Sequence, residues 1–288
     1  LVKTNGGYYD TGKFANSGLT KITFEEGITT IIDCLFKDCT GLTEIVIPDT
    51  VAEIENYAFS DCTNLNRVYL SKNLTTLGRE TFANCTALKE IEIPKSVTSA
   101  SSSFSGSGLE RALLADDMRK VPNGLFSGCT NLREVDIPYT VETIGNSAFY
   151  GCTGLTSIEL PDALTSIGSS AFEGCTGLTS IELPDTLTYI NVRAYQDCTA
   201  LKEIIWPNNS ERLHLSEDTF SGCTALKEVT IPTFIDLDNY YDRSIFYNSG
   251  LEKIILEEGR KYDESCLVGG CTTLKEVVLP SSVTSIKS

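Results

Sequence analysis

The chain has 288 residues, with Lys+Arg 23 against Asp+Glu 39, a formal net charge of −16 and 41% hydrophobic residues. This globular composition excludes disorder, and the charge argues against nucleic acid and anionic lipid surfaces as partners, leaving neutral or basic ones. No apolar run is long enough to span a bilayer, and a single histidine, His214, removes most hydrolytic chemistry.

In chain order, residues 1–13 read as a lead-in or the remnant of a cap. From residue 14 the chain is periodic. Nine of the eleven cysteines fall in the dipeptide Cys-Thr, at 39, 62, 85, 129, 152, 175, 198, 223 and 271. The leucine three residues further on marks twelve units, from Leu19 to Leu274, and eight of the eleven intervals are 23 residues, one is 21 and two are 25. Such regularity predicts one stacked array over residues 14–288, without an internal domain boundary and stopping mid-repeat, because a unit this short buries its apolar face only against its neighbours.

The clearest unit is Leu155-Thr-Ser-Ile158-Glu-Leu160-Pro161-Asp-Ala-Leu164-Thr-Ser-Ile167-Gly168-Ser-Ser-Ala171-Phe172-Glu-Gly-Cys175-Thr176. Ile158 and Leu160 alternate with polar residues, which predicts a short strand over Leu155 to Leu160 with one buried face. Pro161 cannot donate to a ladder and ends it. Leu164 and Ile167 return to the interior, Gly168 is expected at a sharp corner, and Ala171-Phe172 are expected to begin a helical or 3₁₀ turn that drops the aromatic ring into the core.

This pattern resembles the BspA-type leucine-rich repeat, a family of surface proteins of host-associated bacteria and some parasitic protists, over roughly residues 14 to 288. The resemblance implies an α/β fold class: a right-handed solenoid of about twelve repeats, parallel strands on the concave face and short helical or 3₁₀ turns elsewhere. It also implies secretion or cell-surface display and non-enzymatic adhesion to host or extracellular matrix proteins. A structural stalk that presents another domain and has no ligand of its own is the alternative.

Three units lack Cys-Thr, and in each the Phe-to-Leu interval is five residues rather than six: Phe14 to Leu19, Phe104 to Leu109 and Phe246 to Leu251. The coupling between a missing thiol and a shortened turn predicts that the thiols pack as a buried ladder. No CxxC spacing or nearby histidine suggests metal. Cys34 and Cys266, each five residues before Cys39 and Cys271, lie outside the ladder; local Cys34–Cys39 or Cys266–Cys271 disulfides are conceivable, although eleven free thiols are the preferred reading.

On the outward side of the strands, Glu92, Asp136, Glu159 and Glu182, joined by Glu90 and Glu134, predict an acidic strip. Ile205, Ile255 and Val278 predict an apolar strip nearer the C-terminal end, and Tyr69 lies in the same column. These residues are the expected contacts for a basic or mixed basic and apolar protein segment; the plainer reading is that exposed strand positions in an acidic chain are simply acidic or β-branched. Two longer units add Tyr240 and Tyr241 as exposed loop contacts, and place Trp206 at a buried strand position. Asp236, Asp238 and Asp242 lack the central Gly and terminal Glu of a calcium loop. His214 has neither a nucleophile elbow nor HExxH spacing around it, and no phosphate-binding glycine motif is present, so no enzyme, cofactor or metal is expected.

Overall fold

A computed structural model describes residues 12–25, 27–208, 212–237, 244–259, 262–263, 267–283 and 285–286. The chain coils so that two series of short strands stack in parallel. The first ladder is formed by Glu44–Val46, Arg67–Tyr69, Glu90–Ile93, Arg111–Leu114, Glu134–Asp136, Ser180–Glu182, Glu203–Ile205, Glu228–Ile231, Lys253–Leu256 and Glu276–Val278. The second is formed by Thr30–Ile31, Glu53–Ile54, Thr76–Arg79, Ser99–Ser101, Lys120–Val121, Thr143–Ile144, Ser166–Ile167, Tyr189–Ile190, Leu213–Leu215, Ile235–Leu237, Tyr262–Asp263 and Ser285–Ile286. The result is a parallel β-solenoid of about ten turns. Among the described residues, the units at Leu19 and Leu155 carry no strand on the first ladder, so twelve repeats by sequence give fewer regular turns.

One hydrophobic core runs from Ile31 to Leu267. Its axis is a file of stacked rings, Phe14, Phe36, Phe59, Phe82, Phe104, Phe126, Phe149, Phe172, Tyr195, Phe220 and Phe246, with successive centroids 5.0 to 6.1 Å apart. Beside it runs the thiol ladder. Each Cys Sγ donates to the carbonyl of the ring residue one coil back, as in Cys62 to Phe36, Cys152 to Phe126 and Cys175 to Phe149, each at 3.2 Å. In the three units without Cys-Thr, the residue three after the ring is a serine. Ser17 Oγ lies 3.5 Å from Cys39 Sγ and Ser249 Oγ 3.3 Å from Cys271 Sγ, so a hydroxyl takes the place of a thiol at the same rung.

The expected helical or 3₁₀ turn around each ring is absent: no helix occurs among the described residues, and the α/β expectation gives way to an all-β coil. Backbone conformation explains why. Two residues after each ring the chain is left-handed, φ between 53° and 78°, at Asn16, Asp38, Asp61, Asn84, Gly106, Gly128, Gly151, Gly174, Asp197, Gly222 and Asn248, and again at Gly270 in the last unit, where Val268 stands in the ring's place. All twelve are Gly, Asn or Asp, the residues that enter this region at least cost. Two residues before the ring it is left-handed again, at residues including Tyr57, Glu80, Ser147 and Arg193. A right-handed helical run cannot pass through either point. The ring residue's N–H instead bonds the next coil, as Phe149 does to the Ala171 carbonyl at 2.8 Å.

Gly168 also has a different reason from the one expected. Its φ is not positive; a Cβ there would come within 2.6 Å of the Asn146 backbone nitrogen and side-chain oxygen, so only glycine allows the coils to close. The same asparagines staple neighbouring coils: Asn123 Oδ1 accepts from Asn146 N–H and Asn146 Oδ1 from Ser169 N–H, both at 2.9 Å.

The core makes three outcomes testable. Tyr195 is fully buried, and its hydroxyl has no partner among the described residues; Tyr195→Phe should raise unfolding stability in urea by about 1 kcal/mol, since an unsatisfied buried donor is removed and the ring stack is kept. Burial pushes the thiol pKa of Cys62, Cys129 and Cys175 up to about 12 from the ordinary thiol value of 9.0. Above pH 9 the unfolded chain therefore loses thiol protons that the folded chain retains, so stability should be intact below pH 9 and decline as pH rises toward 12, measured by denaturation at stepped pH. At pH 8 iodoacetamide should spare these three cysteines in the native chain and modify them in urea.

Candidate functional site on the strand face

In the first ladder, Ile45, Ile91, Ile181, Val229 and Ile254 point into the core, and the residues on either side of each point out. The pairing registers confirm the outward columns. In one, Glu44 lies opposite Arg67, Arg111 lies between Glu90 and Glu134, and Lys253 lies between Glu228 and Glu276. In the other, Val46 lies opposite Tyr69, Leu113 lies between Glu92 and Asp136, Glu182 lies opposite Ile205, and Ile255 lies between Thr230 and Val278.

Opposite charges in register compensate much of this face. Arg67 is 3.6 Å from Glu44 and Lys253 is 3.6 Å from Glu276. Arg111 serves three acids at once, at 4.0 Å from Glu90, 3.3 Å from Glu134 and 3.0 Å from Asp136. Along the edge, Lys89 lies 2.9 Å from Glu110 and Lys275 2.7 Å from Glu252, and each ammonium holds its partner carboxyl below the usual range. The six acids singled out by sequence thus divide in two. Glu90, Glu134 and Asp136 surround a guanidinium, whereas Glu92, Glu159 and Glu182 are exposed and make no ion pair among the described residues.

The uncompensated pair Glu159 and Glu182 sits where the ladder is interrupted. Residues 155–160 form no strand, Ile158 and Leu160 are half-buried, and the backbone N–H groups of 157–160 have no hydrogen-bond partner among the described residues. Three acids of one column, Asp136, Glu159 and Glu182, fall on consecutive coils here, and like charges facing each other across strands oppose pairing. Immediately beyond Glu182 is Ile205, 42% exposed. Ile255 is half-buried and Val278 exposed, so the apolar strip is real but broken by Thr230. A second apolar spot, exposed Val46 beside exposed Tyr69, forms at the other end; sequence reasoning picked out Tyr69 alone, although Val46 stood next to it in the column.

The remaining candidates lie elsewhere. Tyr240 and Tyr241 fall outside the described residues, as do Asp238, Asp242 and Cys266. Trp206 packs edge-on against Phe220 with centroids 6.1 Å apart, which makes it part of the core wall. His214 is on the second ladder, stacked on Tyr189 at 5.4 Å, with Nδ1 3.4 Å from Asp236, a carboxylate that Arg212 also contacts at 3.0 Å. Cys34 and Cys39 are free thiols. Among the described residues no group of acidic, His or Cys side chains is arranged to hold a metal, and no helix is long and apolar enough to cross a membrane.

Six copies of the BspA type leucine rich repeat region match residues 10–133, 119–241 and 213–288. The chain belongs to the BspA-type leucine-rich repeat family. No curated protein is significantly similar to it. Among solved structures, a leucine-rich repeat protein from Bacteroides ovatus is 27% identical with a TM-score of 0.57, the match covering 92% of this chain and 80% of that one. The pneumococcal vaccine antigen PcpA shares the fold at 21% identity and a TM-score of 0.52, covering 96% of this chain and 65% of that one. A leucine rich cell surface protein from Faecalibacterium prausnitzii is 24% identical over 90% of this chain and 86% of its own, with a TM-score of 0.45.

Because Arg111 masks three of the acids, Arg111→Gln should leave stability within about 1 kcal/mol while strengthening low-salt binding of an oligolysine probe, measured by titration calorimetry. Unchanged or weaker binding would show that the masked acids do not contribute to the surface field.

Proposed function

We propose that the chain is a non-enzymatic protein-binding module, secreted or displayed at a cell surface, whose strand face adheres to a host or matrix protein. On this reading residues 14–288 act as one array, residues 1–13 lead into it, and the strand face is the concave one. The observation that carries the reading is local: Glu159 and Glu182 make no ion pair among the described residues and Glu182 lies opposite exposed Ile205, on a face where many other charges are paired internally. A partner segment with a Lys or Arg next to an aliphatic side chain complements that juxtaposition, and the net charge of −16 steers such a segment toward it. Glu92, Val46 with Tyr69, and Ile255 with Val278 extend the contact along a stack of about ten turns, roughly 45 Å at strand spacing. Membership of the BspA-type family supports the surface location, and a repetitive stacked fold is suited to recognition.

The test is surface plasmon resonance of the immobilised chain against purified extracellular matrix proteins and synthetic peptides that alternate basic and aliphatic residues. Binding should weaken with salt and fall at least about tenfold in Glu159→Lys/Glu182→Lys, a variant that alters only exposed side chains. Equal binding by that variant overturns the assignment of the face, and no binding by the unaltered chain to any ligand favours a structural stalk.

A further inference from the structure

A depression of about 430 Å³ opens on the turns that follow the second ladder, spanning three coils and lined by Ser101, Ser102, Asn123, Asn146, Ser147 and Tyr150. It lies outside the strand face and was not singled out by its sequence. Its origin is a change in side-chain size along one left-handed column. That column carries Tyr57 and Glu80, then Ser102, Gly124, Ser147 and Ser170, then Arg193. Four successive small residues between large ones leave a trough, and Gly124 exposes bare backbone at its floor.

The chemistry of the trough is unusual for this protein. In a chain of net charge −16, none of the residues lining it is charged. Asn123 and Asn146 each accept a backbone N–H through Oδ1, at 2.9 Å, so both amide NH₂ groups are turned away from the staple and remain available as donors. The hydroxyls of Ser101, Ser102, Ser127 and Ser147 have no partner within the described chain. Tyr150, 44% exposed, supplies one aromatic wall. Pinned amide donors and free hydroxyls, which both donate and accept, beside one aromatic face and without any ionic group, fit a neutral polyhydroxylated ligand; an anion would find no cation, a cation no carboxylate, and an apolar ligand too little apolar wall.

We propose that this depression is a binding subsite for neutral carbohydrate, seating sugar residues of an oligosaccharide against Tyr150 and hydrogen-bonding their hydroxyls through Asn123 and Asn146. The subsite is independent of the strand face, so either assignment can fail without the other.

The test uses the whole chain, titrated with maltohexaose, cellohexaose, chitohexaose and an oligomannose glycan released from glycoprotein, with binding followed by the side-chain amide NMR signals of Asn123 and Asn146 and by calorimetry. At least one of these sugars should shift both signals; a linear glucan and the oligomannose arm distinguish a free polysaccharide from a protein-linked glycan as its source. Asn146→Asp keeps the oxygen that staples Ser169 and removes the NH₂ donor, so its melting temperature should match the parent while affinity drops about tenfold or more. Tyr150→Ala should weaken binding similarly and Tyr150→Phe should largely retain it. Absence of any shift with all four sugars, unaltered affinity in Asn146→Asp and Tyr150→Ala, or stronger binding of a polyuronate than of the neutral oligomers would each overturn the proposal.

Discussion

Backbone hydrogen bonding between coils is the constraint on which the rest depends. A helix would satisfy the turn segments internally; here the left-handed residues on both sides of most rings turn alternate N–H groups toward the next coil, as at Ser147, Phe149 and Gly151. Each coil is therefore incomplete until another lies on it, and the spacing this sets is the one at which aromatic rings stack and a thiol reaches the carbonyl one coil back. Hydrophobic burial supplies the driving force, but the directional bonds fix the register, and the register determines which outward residues meet.

That register turns a list of exposed strand residues into a patterned surface. Arg111 is drawn to Glu90, Glu134 and Asp136 because all lie within one coil of it, and Lys253 to Glu276 for the same reason. What remains is a local excess of negative charge at Glu159 and Glu182 rather than a continuous strip. It coincides with the absence of a strand at 155–160, where three acids of one column fall on consecutive coils.

Much of the fold was legible in the sequence because its signals were repeated. Alternation of Ile and polar residues marked the strands of most units but not of Leu155 to Leu160, the unit it was read from, where no strand forms, and the coupled loss of cysteine and shortening of the turn marked the thiols as packed. The serine that replaces the thiol, three residues after the ring in the same units, was equally visible and went unread. The missing helix also had a signature, Gly, Asn or Asp two residues after each ring. The second left-handed position had none, since Tyr57, Glu80 and Arg193 share no property that announces it. For the candidate site, the columns could be written down from spacing, and Arg111 stood in one of them. Its reach to three acids depends on side-chain direction, which periodicity does not encode, and the carbohydrate trough arises from residue sizes compared across coils rather than along the chain.

The thiol ladder has a further consequence. Each sulfur is committed to a carbonyl oxygen rather than to another sulfur, as Cys62 is to Phe36 and Cys198 to Phe172. Among the described residues the cohesion of the stack thus contains no link that a reductant could sever, and its eight buried cysteines are shielded from oxidants. The scaffold can keep one shape across environments of very different redox potential, an uncommon freedom for a chain with so many cysteines.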